Sequence, residues 1–333
     1  MEIVNKPYAK AFEDFAKDKE EILCISADLD SSCEIDGFRD RYPHKFISMG
    51  MAEQNMMSFS GGLGLAGFRP FIHSFGVFTY RRPYDQLVAS IAYPRRKARI
   101  MGFLPGITTP GGMTHQAIED ISVMRTLPNM TVLETGDATE VESICEVADS
   151  IDGPVYCRML RGSVPRLFET PLKIGKLRTL SEGKDILVFT SGICTEEAIR
   201  ARSALKKFGI SIKHIHVSTL KPINEELFLS LISEAKSGII SMENHLVNGG
   251  LGSIVSDIIS KYGIGKKLIK LGLQDTYAHG GSKGYLSRYY NLDALALIKS
   301  IENLTNTKTN IQEVDLNEAR IDDVHSLSKA EAL

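Results

Sequence analysis

The sequence has no tryptophan, only five cysteines and almost no net charge. The cysteines are odd in number and none forms a CxxC pair, which disfavours a disulfide framework and a zinc site. Lysine and arginine number 39 against 41 aspartates and glutamates, a balance that gives no electrostatic attraction for nucleic acid or an anionic membrane. No apolar run approaches the roughly 20 residues of a membrane span, and the N-terminus lacks the apolar core of a signal peptide. We therefore expect a cytoplasmic protein with reduced cysteines and with neither nucleic acid nor a membrane as a partner.

Hydrophobic stretches that alternate between strand-like and helix-like patterns fill the chain. Its 333 residues are 43% hydrophobic, which suits about two domains of roughly 150 residues each. Apolar runs such as Glu21–Ala27 and Arg99–Phe103 are typical of buried strands, whereas Ala138–Asp149 has a helical pattern. The same alternation resumes after a break, from the strand Asp185–Thr190 to the helix Leu292–Asn303. We predict two three-layer α/β/α domains with mostly parallel sheets that helices cover on both faces.

The break in this alternation sets the predicted domain boundaries. Residues 161–182 hold two prolines and mixed charges without a clear period, which is typical of a connection between domains. The polar end of the chain is expected to lie on the body or on a partner, with a helix around Leu316–Ile321. The predicted units are a first domain over 1–162, a linker over 163–182, a second domain over 183–303 and a polar tail over 304–333.

Three segments that follow predicted strands carry the candidate chemistry. They are Ser48–Asn55, Phe75–Arg82 and Gly102–His115. Ligands bind at the carboxyl ends of the strands in parallel α/β folds, so these loops are the expected place for a site.

Each segment has a structural and a functional interpretation. Glu53 either favours the positive end of a helix dipole or acts as a buried carboxylate that exchanges a proton with a ligand nitrogen. Phe75 and Phe78 either pack in the core or form a shelf for a flat heterocycle. A lone histidine is usually structural, but His115 ends a glycine-rich loop, where it is well placed for proton transfer or hydrogen bonding.

Several sequence runs, taken in order, resemble the transketolase family. The runs GMAEQNM, SFGVFTYRRPYDQ, THQAIEDISVMRTLPNM and GPVYCRMLRG are similar to its pyrimidine-binding domain. The runs DILVFTSG and MENHLVNGGLGS are similar to its C-terminal domain, and the resemblance extends over about residues 1–303. The combined signal is specific because separate motifs agree.

The resemblance implies thiamine diphosphate as cofactor, shared between domains of two subunits. The family's diphosphate-binding domain carries a GDG motif and an asparagine metal ligand, whereas the nearest run here, Gly136–Ala138, reads GDA. The chain thus resembles the C-terminal subunit of a split transketolase, which transfers a two-carbon ketol unit between sugar phosphates. Such a subunit homodimerises within an α2β2 assembly and is active only with an N-terminal partner, which holds Mg²⁺ or Ca²⁺.

The resemblance also assigns roles to individual residues. Glu53 matches the family's catalytic glutamate, which bonds the ring nitrogen of the aminopyrimidine, and His115 matches a catalytic histidine that contacts the substrate oxygen. Phe75 and Phe78 would stack on the pyrimidine. Further contacts are implied to the cofactor for Arg81 and Asp28, and to the substrate for Arg161, its neighbouring alternative Arg158, Ser32 and Phe103.

Two departures from the family pattern concern the substrate. Phe103 replaces a family histidine, and Pro110 and Gly111 replace a Glu-Asp pair that contacts sugar hydroxyls. Loss of these polar partners should change sugar discrimination, so we expect an atypical, branched or modified ketose donor. The alternatives are the beta chain of a 2-oxo acid dehydrogenase and a non-catalytic subunit that only completes a dimer.

Overall fold

The computed structural model describes residues 2–316, which fold around two mostly parallel sheets. Beyond Leu316, the predicted tail helix lies outside the described residues. Among residues 2–316, no helix has both the length and the apolar character needed to cross a membrane.

The first sheet has seven strands, of which six come from the first half of the chain. Its apolar strands are buried on both faces, as in other parallel sheets covered by helices. Neighbouring strands run parallel, except at one edge of the sheet, where Thr219–Lys221 pairs antiparallel with Thr131–Glu134. In spatial order the strands are β12 (Thr219–Lys221), β6 (Thr131–Glu134), β7 (Val155–Met159), β5 (Arg99–Phe103), β4 (Arg69–Phe75), β2 (Ile22–Ser26) and β3 (Phe46–Ser48).

The second sheet shows directly why its domain has three layers. Successive side chains of a strand point to opposite faces. In the strand Ile186–Thr190, Ile186 and Val188 belong to one apolar cluster, while Leu187 and Phe189 belong to another, which also includes the first domain. The strands, in spatial order, are β14 (Leu268–Leu273), β13 (Ile239–Leu246), β10 (Ile186–Thr190), β11 (Ile212–Val217) and β9 (Leu177–Ser181).

Helices connect the parallel strands, as crossover connections require. The predicted α/β class with mostly parallel sheets is thereby confirmed. The helices are α1 (Pro7–Ala16), α2 (Asp36–Arg41), α3 (Glu53–Leu65), α4 (Gly76–Tyr80), α5 (Tyr84–Gln86), α6 (Asp120–Thr126), α7 (Ala138–Asp149), α8 (Cys194–Lys206), α9 (Glu225–Glu234), α10 (Leu251–Lys261), α11 (Lys283–Tyr289) and α12 (Ala294–Thr305).

The segment predicted as a linker, 163–182, contributes a strand to each side of the molecule. The strand β8 (Ser163–Pro165) pairs with β1 (Ile3–Asn5) in a separate two-stranded sheet. Strand β9 then pairs antiparallel with β11 at the edge of the second sheet. The segment lacked a strand period in the sequence because both strands are short edge elements with mixed burial.

Candidate active site

The predicted site segments meet at one edge of the first sheet. Strands β3, β2, β4, β5 and β7 are parallel neighbours, so their carboxyl ends lie side by side. The residues that follow or end these strands are, in sheet order, Glu53 after β3, Asp28 and Ser32 after β2, Phe75 on β4, Phe103 on β5 and Arg161 after β7.

Glu53 is a buried carboxylate at the first position of α3. Its side chain is only 4% exposed, and Oε1 lies 2.5 Å from Nη1 of Arg82. The amino end of a helix carries a partial positive charge, so this position suits an acidic side chain. Burial, a paired cation and a helix amino terminus together hold this carboxylate in place.

Two phenylalanines and His115 form an aromatic cluster beside this carboxylate. The rings of Phe75 and Phe78 stack with their centroids 6.0 Å apart and an interplanar angle of 24°. The ring of His115 meets Phe78 edge-on at 5.4 Å and Phe75 at 6.2 Å. Strand β4 ends at Phe75 and α4 follows at once, so a single turn of chain brings the two phenylalanines together. Such a shelf suits the face of a flat ring.

Arg82 joins the carboxylate to the aromatic cluster. Its guanidinium carbon lies 3.9 Å from the centroid of the Phe78 ring, in a cation–π contact, while Nη1 donates to Glu53. Arg81, which the sequence favoured as a cofactor contact, instead donates to both carboxylate oxygens of Glu119, at 2.5 and 2.7 Å. The neighbouring arginines therefore point to different partners, and Arg82 is the one that contacts the cluster.

His115 closes the glycine-rich loop and faces the two phenylalanines. Its Nδ1 lies 2.9 Å from the hydroxyl of Thr114. Partial burial lowers the pKa of His115, and the positive charge of Arg82 lowers it further, so the neutral form predominates at neutral pH. A Cβ at Gly111 would lie 2.9 Å from that of His115, so the loop passes too close for a larger residue.

Arg161 and Ser32 form a second group at the same edge. Nη1 of Arg161 donates to the carbonyl oxygen of Ser32 at 2.6 Å, which ties the loops after β7 and β2 together. Asp28 lies in the sequence between the end of β2 and Ser32. Its side chain is exposed, and its backbone is in a left-handed conformation with a φ of 63°. Ser32 itself is buried at 6% exposure. The structure thus places Arg161, Ser32 and Asp28 in the loops that follow the carboxyl ends of β7 and β2.

Arg158 and Phe103 are both fully buried. Arg158 donates through Nε to Asp120 at 2.8 Å and through Nη1 to Glu134 at 2.6 Å. Phe103 packs edge-on against Tyr8, with ring centroids 5.3 Å apart. Because neither side chain is exposed, this geometry does not support the substrate contacts that the sequence suggested for them. Arg158 instead neutralises two buried carboxylates, which explains its place in the core.

Two residues with a direct part in this arrangement, Arg82 and Asn244, were not among the predicted site residues. Arg82 is the neighbour of the predicted Arg81, and the motif match around Tyr80–Arg82 does not fix which of the two arginines contacts the site. Asn244 lies within the run MENHLVNGGLGS, and its side chain bonds the backbone of the glycine-rich loop. Its role depends on contact between distant parts of the chain and had no local signal.

The cluster fits a flat, nitrogen-containing ring better than a metal. A buried carboxylate next to stacked aromatic rings supplies a hydrogen-bond partner and a stacking surface for such a ring. Within residues 2–316, no group of three or more His, Cys, Asp or Glu side chains is arranged to hold a metal ion.

Comparison with known proteins shows similarity to the transketolase family in both domains. The family description "Transketolase, pyrimidine binding domain" matches residues 4–166, and "Transketolase, C-terminal domain" matches residues 175–296. A 6-deoxy-6-sulfo-D-fructose transketolase subunit of Clostridium sp. is 33% identical over 90% of this chain and 94% of its own length. One of the subunits of an apulose-4-phosphate transketolase, from Phocaeicola vulgatus, is 27% identical over 89% of this chain and 95% of its own length.

A solved structure extends the similarity to three dimensions. It is described as a split gene transketolase, inactive beta4 tetramer, and it is 33% identical with a TM-score of 0.81. The match covers 91% of this chain and 98% of the other. With both domains matched in sequence and fold, the chain belongs to the transketolase family.

Proposed function

We propose that this chain is the C-terminal subunit of a thiamine diphosphate-dependent transketolase that transfers a two-carbon ketol unit between sugar phosphates. The observation that carries the proposal is the grouping of Glu53 with the stacked Phe75 and Phe78 and with His115 at one sheet edge. A buried carboxylate, a stacking shelf and a neutral imidazole are the groups that such a reaction needs from this subunit.

Each group has a separate task in this proposal. Thiamine diphosphate, when bound, supplies the carbanion chemistry that breaks and forms carbon–carbon bonds. Glu53 would hold a proton at the aminopyrimidine nitrogen, and Phe75 with Phe78 would stack on that ring. His115, neutral at physiological pH, would donate to or accept from a substrate oxygen. We assign Arg161 and Ser32 to the phosphate side of the substrate, and Asp28 to the cofactor side.

The proposal includes an N-terminal partner subunit that holds the diphosphate and Mg²⁺ or Ca²⁺. The exposed stripe of α3 supports a partner next to the site, because it carries no charged side chain between Gln54 and Ala66. Phe59 is 40% exposed on this stripe and Leu65 is 69% exposed. Large apolar side chains exposed on an uncharged face are typical of a surface that another chain covers. We infer an α2β2 assembly in the cytoplasm, where the five buried, free cysteines would stay reduced.

We further propose that the ketose donor is modified or branched. Two relatives are named for sulfofructose and apulose phosphate, both unlike the common pentose phosphates. In this chain Pro110 is exposed and Gly111 is half-buried on the loop that carries His115, where the family pattern has acidic groups. A loop without those carboxylates leaves room for an altered sugar and lacks partners for the usual hydroxyls.

Substitution of Glu53 tests the proposed chemistry. In the complex with the partner subunit, Glu53→Gln should lower kcat by about 100-fold or more, because a positioned acid–base group contributes that much. Ketol transfer is measured with a panel of ketose phosphate donors, and cofactor affinity by calorimetry. Glu13→Gln is the matched control, since Glu13 also pairs with an arginine, Arg41, on the surface. Unchanged turnover by Glu53→Gln would remove this residue from the mechanism.

A further inference from the structure

The loop that carries His115 is held by one side chain of the second domain. Asn244, on β13, accepts through Oδ1 from the backbone N–H of Ile107 at 3.0 Å. Its Nδ2 donates to the carbonyl oxygen of Pro105 at 2.9 Å. Both polar atoms of a single carboxamide thus bond the main chain on either side of Gly106, much as a neighbouring strand would.

The fit between this carboxamide and the loop is close. Gly106 has a φ of +56°, and a Cβ built on it would lie 2.1 Å from Oδ1 of Asn244. Only glycine tolerates both the backbone conformation and the contact. Asn244 is 1% exposed, and its own carbonyl oxygen accepts from Nη2 of Arg158 at 2.8 Å, so its backbone is fixed in turn.

The far end of the loop is held by the same domain. Nε2 of Gln116 donates to the carbonyl oxygen of His279 at 3.2 Å. Between the two attachments, Pro110, Met113 and Thr114 are exposed. The second domain therefore fixes both ends of a segment whose middle part is exposed.

We propose that Asn244 is a positioning residue of the active site, which fixes the first turn of the 105–116 loop so that His115 is presented to the substrate. The inference rests on the proposed function, because it takes His115 as a substrate contact. The second domain would then have a task in catalysis, although the aromatic cluster of Phe75, Phe78 and His115 belongs to the first domain. A loop that is held at both ends keeps its geometry and does not need to reorganise when substrate binds.

Two variants of Asn244 separate positioning from general stability. Asn244→Ala removes both bonds, and Asn244→Asp keeps the volume but replaces the donor to Pro105 with an acceptor. Asn224→Ala is the matched control, because Asn224 also bonds a backbone N–H, that of Leu227, on the same domain. Hydrogen exchange of the full-length chain is followed in peptides covering 104–117 and in peptides of β10 and β11, together with thermal unfolding.

In the complex with the partner subunit, the donor kcat/KM and the thiamine diphosphate dissociation constant are measured for the same proteins. We expect both Asn244 variants to exchange about 10-fold faster within 104–117 and to lose about 10-fold in donor kcat/KM, with cofactor affinity unchanged. The Asn224 variant should match the wild type in the exchange rate within 104–117, in donor kcat/KM and in cofactor affinity.

The proposal is overturned if exchange in 104–117 stays at the wild-type rate, or if it rises equally throughout the second domain. A normal donor kcat/KM in a loop that exchanges faster would overturn it as well. A wild-type complex that binds no thiamine diphosphate would instead disprove the proposed function, while the exchange comparison would still decide whether Asn244 holds the loop.

Discussion

At the scale of single residues, Arg82 links the two functional elements of the site. Its guanidinium contacts the face of Phe78 and the carboxylate of Glu53 together. A planar cation is suited to this double contact, because it stacks through its face while its edge donates hydrogen bonds. The same charge acts on His115, whose pKa it lowers in addition to the effect of burial.

Replacement of Arg82 should therefore alter the titration of His115. Removal of a nearby positive charge favours a protonated imidazole, so Arg82→Ala should raise the pKa of His115. Because burial is the larger cause, the pKa should stay below its ordinary value. The measurement is an NMR titration of the histidine ring protons, with His115→Gln to assign the signal.

Arg41→Ala serves as the control, since Arg41 is a half-exposed arginine that pairs with Glu13 on the surface. It should leave the His115 titration unchanged. A His115 pKa in the Arg82 variant that equals or falls below the wild-type value would contradict the predicted contact.

Local sequence was informative about which residues gather at the site, and less so about which way they point. Glu53, Phe75, Phe78 and His115 were predicted from strand ends and loop chemistry, and the structure places them in one cluster, though their roles stay predictions. The choice between Arg81 and its neighbour depends on where α4 ends. A shift of one residue on a helix turns a side chain by about 100°, and no local pattern fixes a boundary that closely.

At the scale of secondary structure, α3 is the element on which the site depends, because it begins at Glu53. It packs so closely on the segment Leu87–Ala92 that a Cβ at Gly61 would lie 2.4 Å from the carbonyl oxygen of Ser90. The adjacent Gly62 has nothing within 4 Å of its Cβ position. Two neighbouring glycines thus have different reasons to be present.

The pair gives a prediction with its own control. Gly61→Ala should lower the free energy of unfolding by about 1–3 kcal/mol, because the added methyl group forces backbone apart. Gly62→Ala should raise it by about 0.5–1 kcal/mol, since alanine has the better helix propensity. Urea unfolding of the full-length chain measures both. Equal changes in the two variants would show that the contact with Ser90 does not limit the packing of α3.

Short strands were the elements that the sequence did not reveal. Strand β12 has three residues and belongs by position to the second half of the chain, yet it pairs with β6 of the first sheet. A strand of this length has no measurable period, and its partner lies far away in the sequence. Buried strands such as β10 and β2 were predicted because their apolar runs were continuous.

At the scale of the whole molecule, one apolar cluster spans the boundary between the two domains. A single cluster of buried residues includes Phe71 of the first sheet and Phe189 and Phe228 of the second domain. The buried Arg158 adds polar contacts across the same boundary, to Glu134 on one side and to the carbonyl oxygen of Asn244 on the other. Composition indicated two domains, but how extensively they pack against each other is visible only in the structure.

The uncharged stripe of α3 leads to a prediction about assembly. Phe59→Glu should weaken the affinity for the partner subunit about 10-fold or more, because a charge would be buried in an apolar contact. Sedimentation velocity of mixtures with the partner subunit measures the affinity. Phe208→Glu is the control, since Phe208 is 49% exposed and lies just beyond α8 of the second domain. Equal affinity for the two variants would place the interface elsewhere.

The position of β12 also has a consequence for protein synthesis. A ribosome makes the chain from its amino terminus, so β6 is complete long before Thr219–Lys221 emerges to pair with it. Until then the first sheet has an open edge, which is a template for pairing with other chains. A nascent chain that pauses between the two domains therefore exposes the unpaired edge of β6, which β12 covers in the finished protein. The first sheet therefore reaches its native edge only after β11 of the second domain has been synthesised.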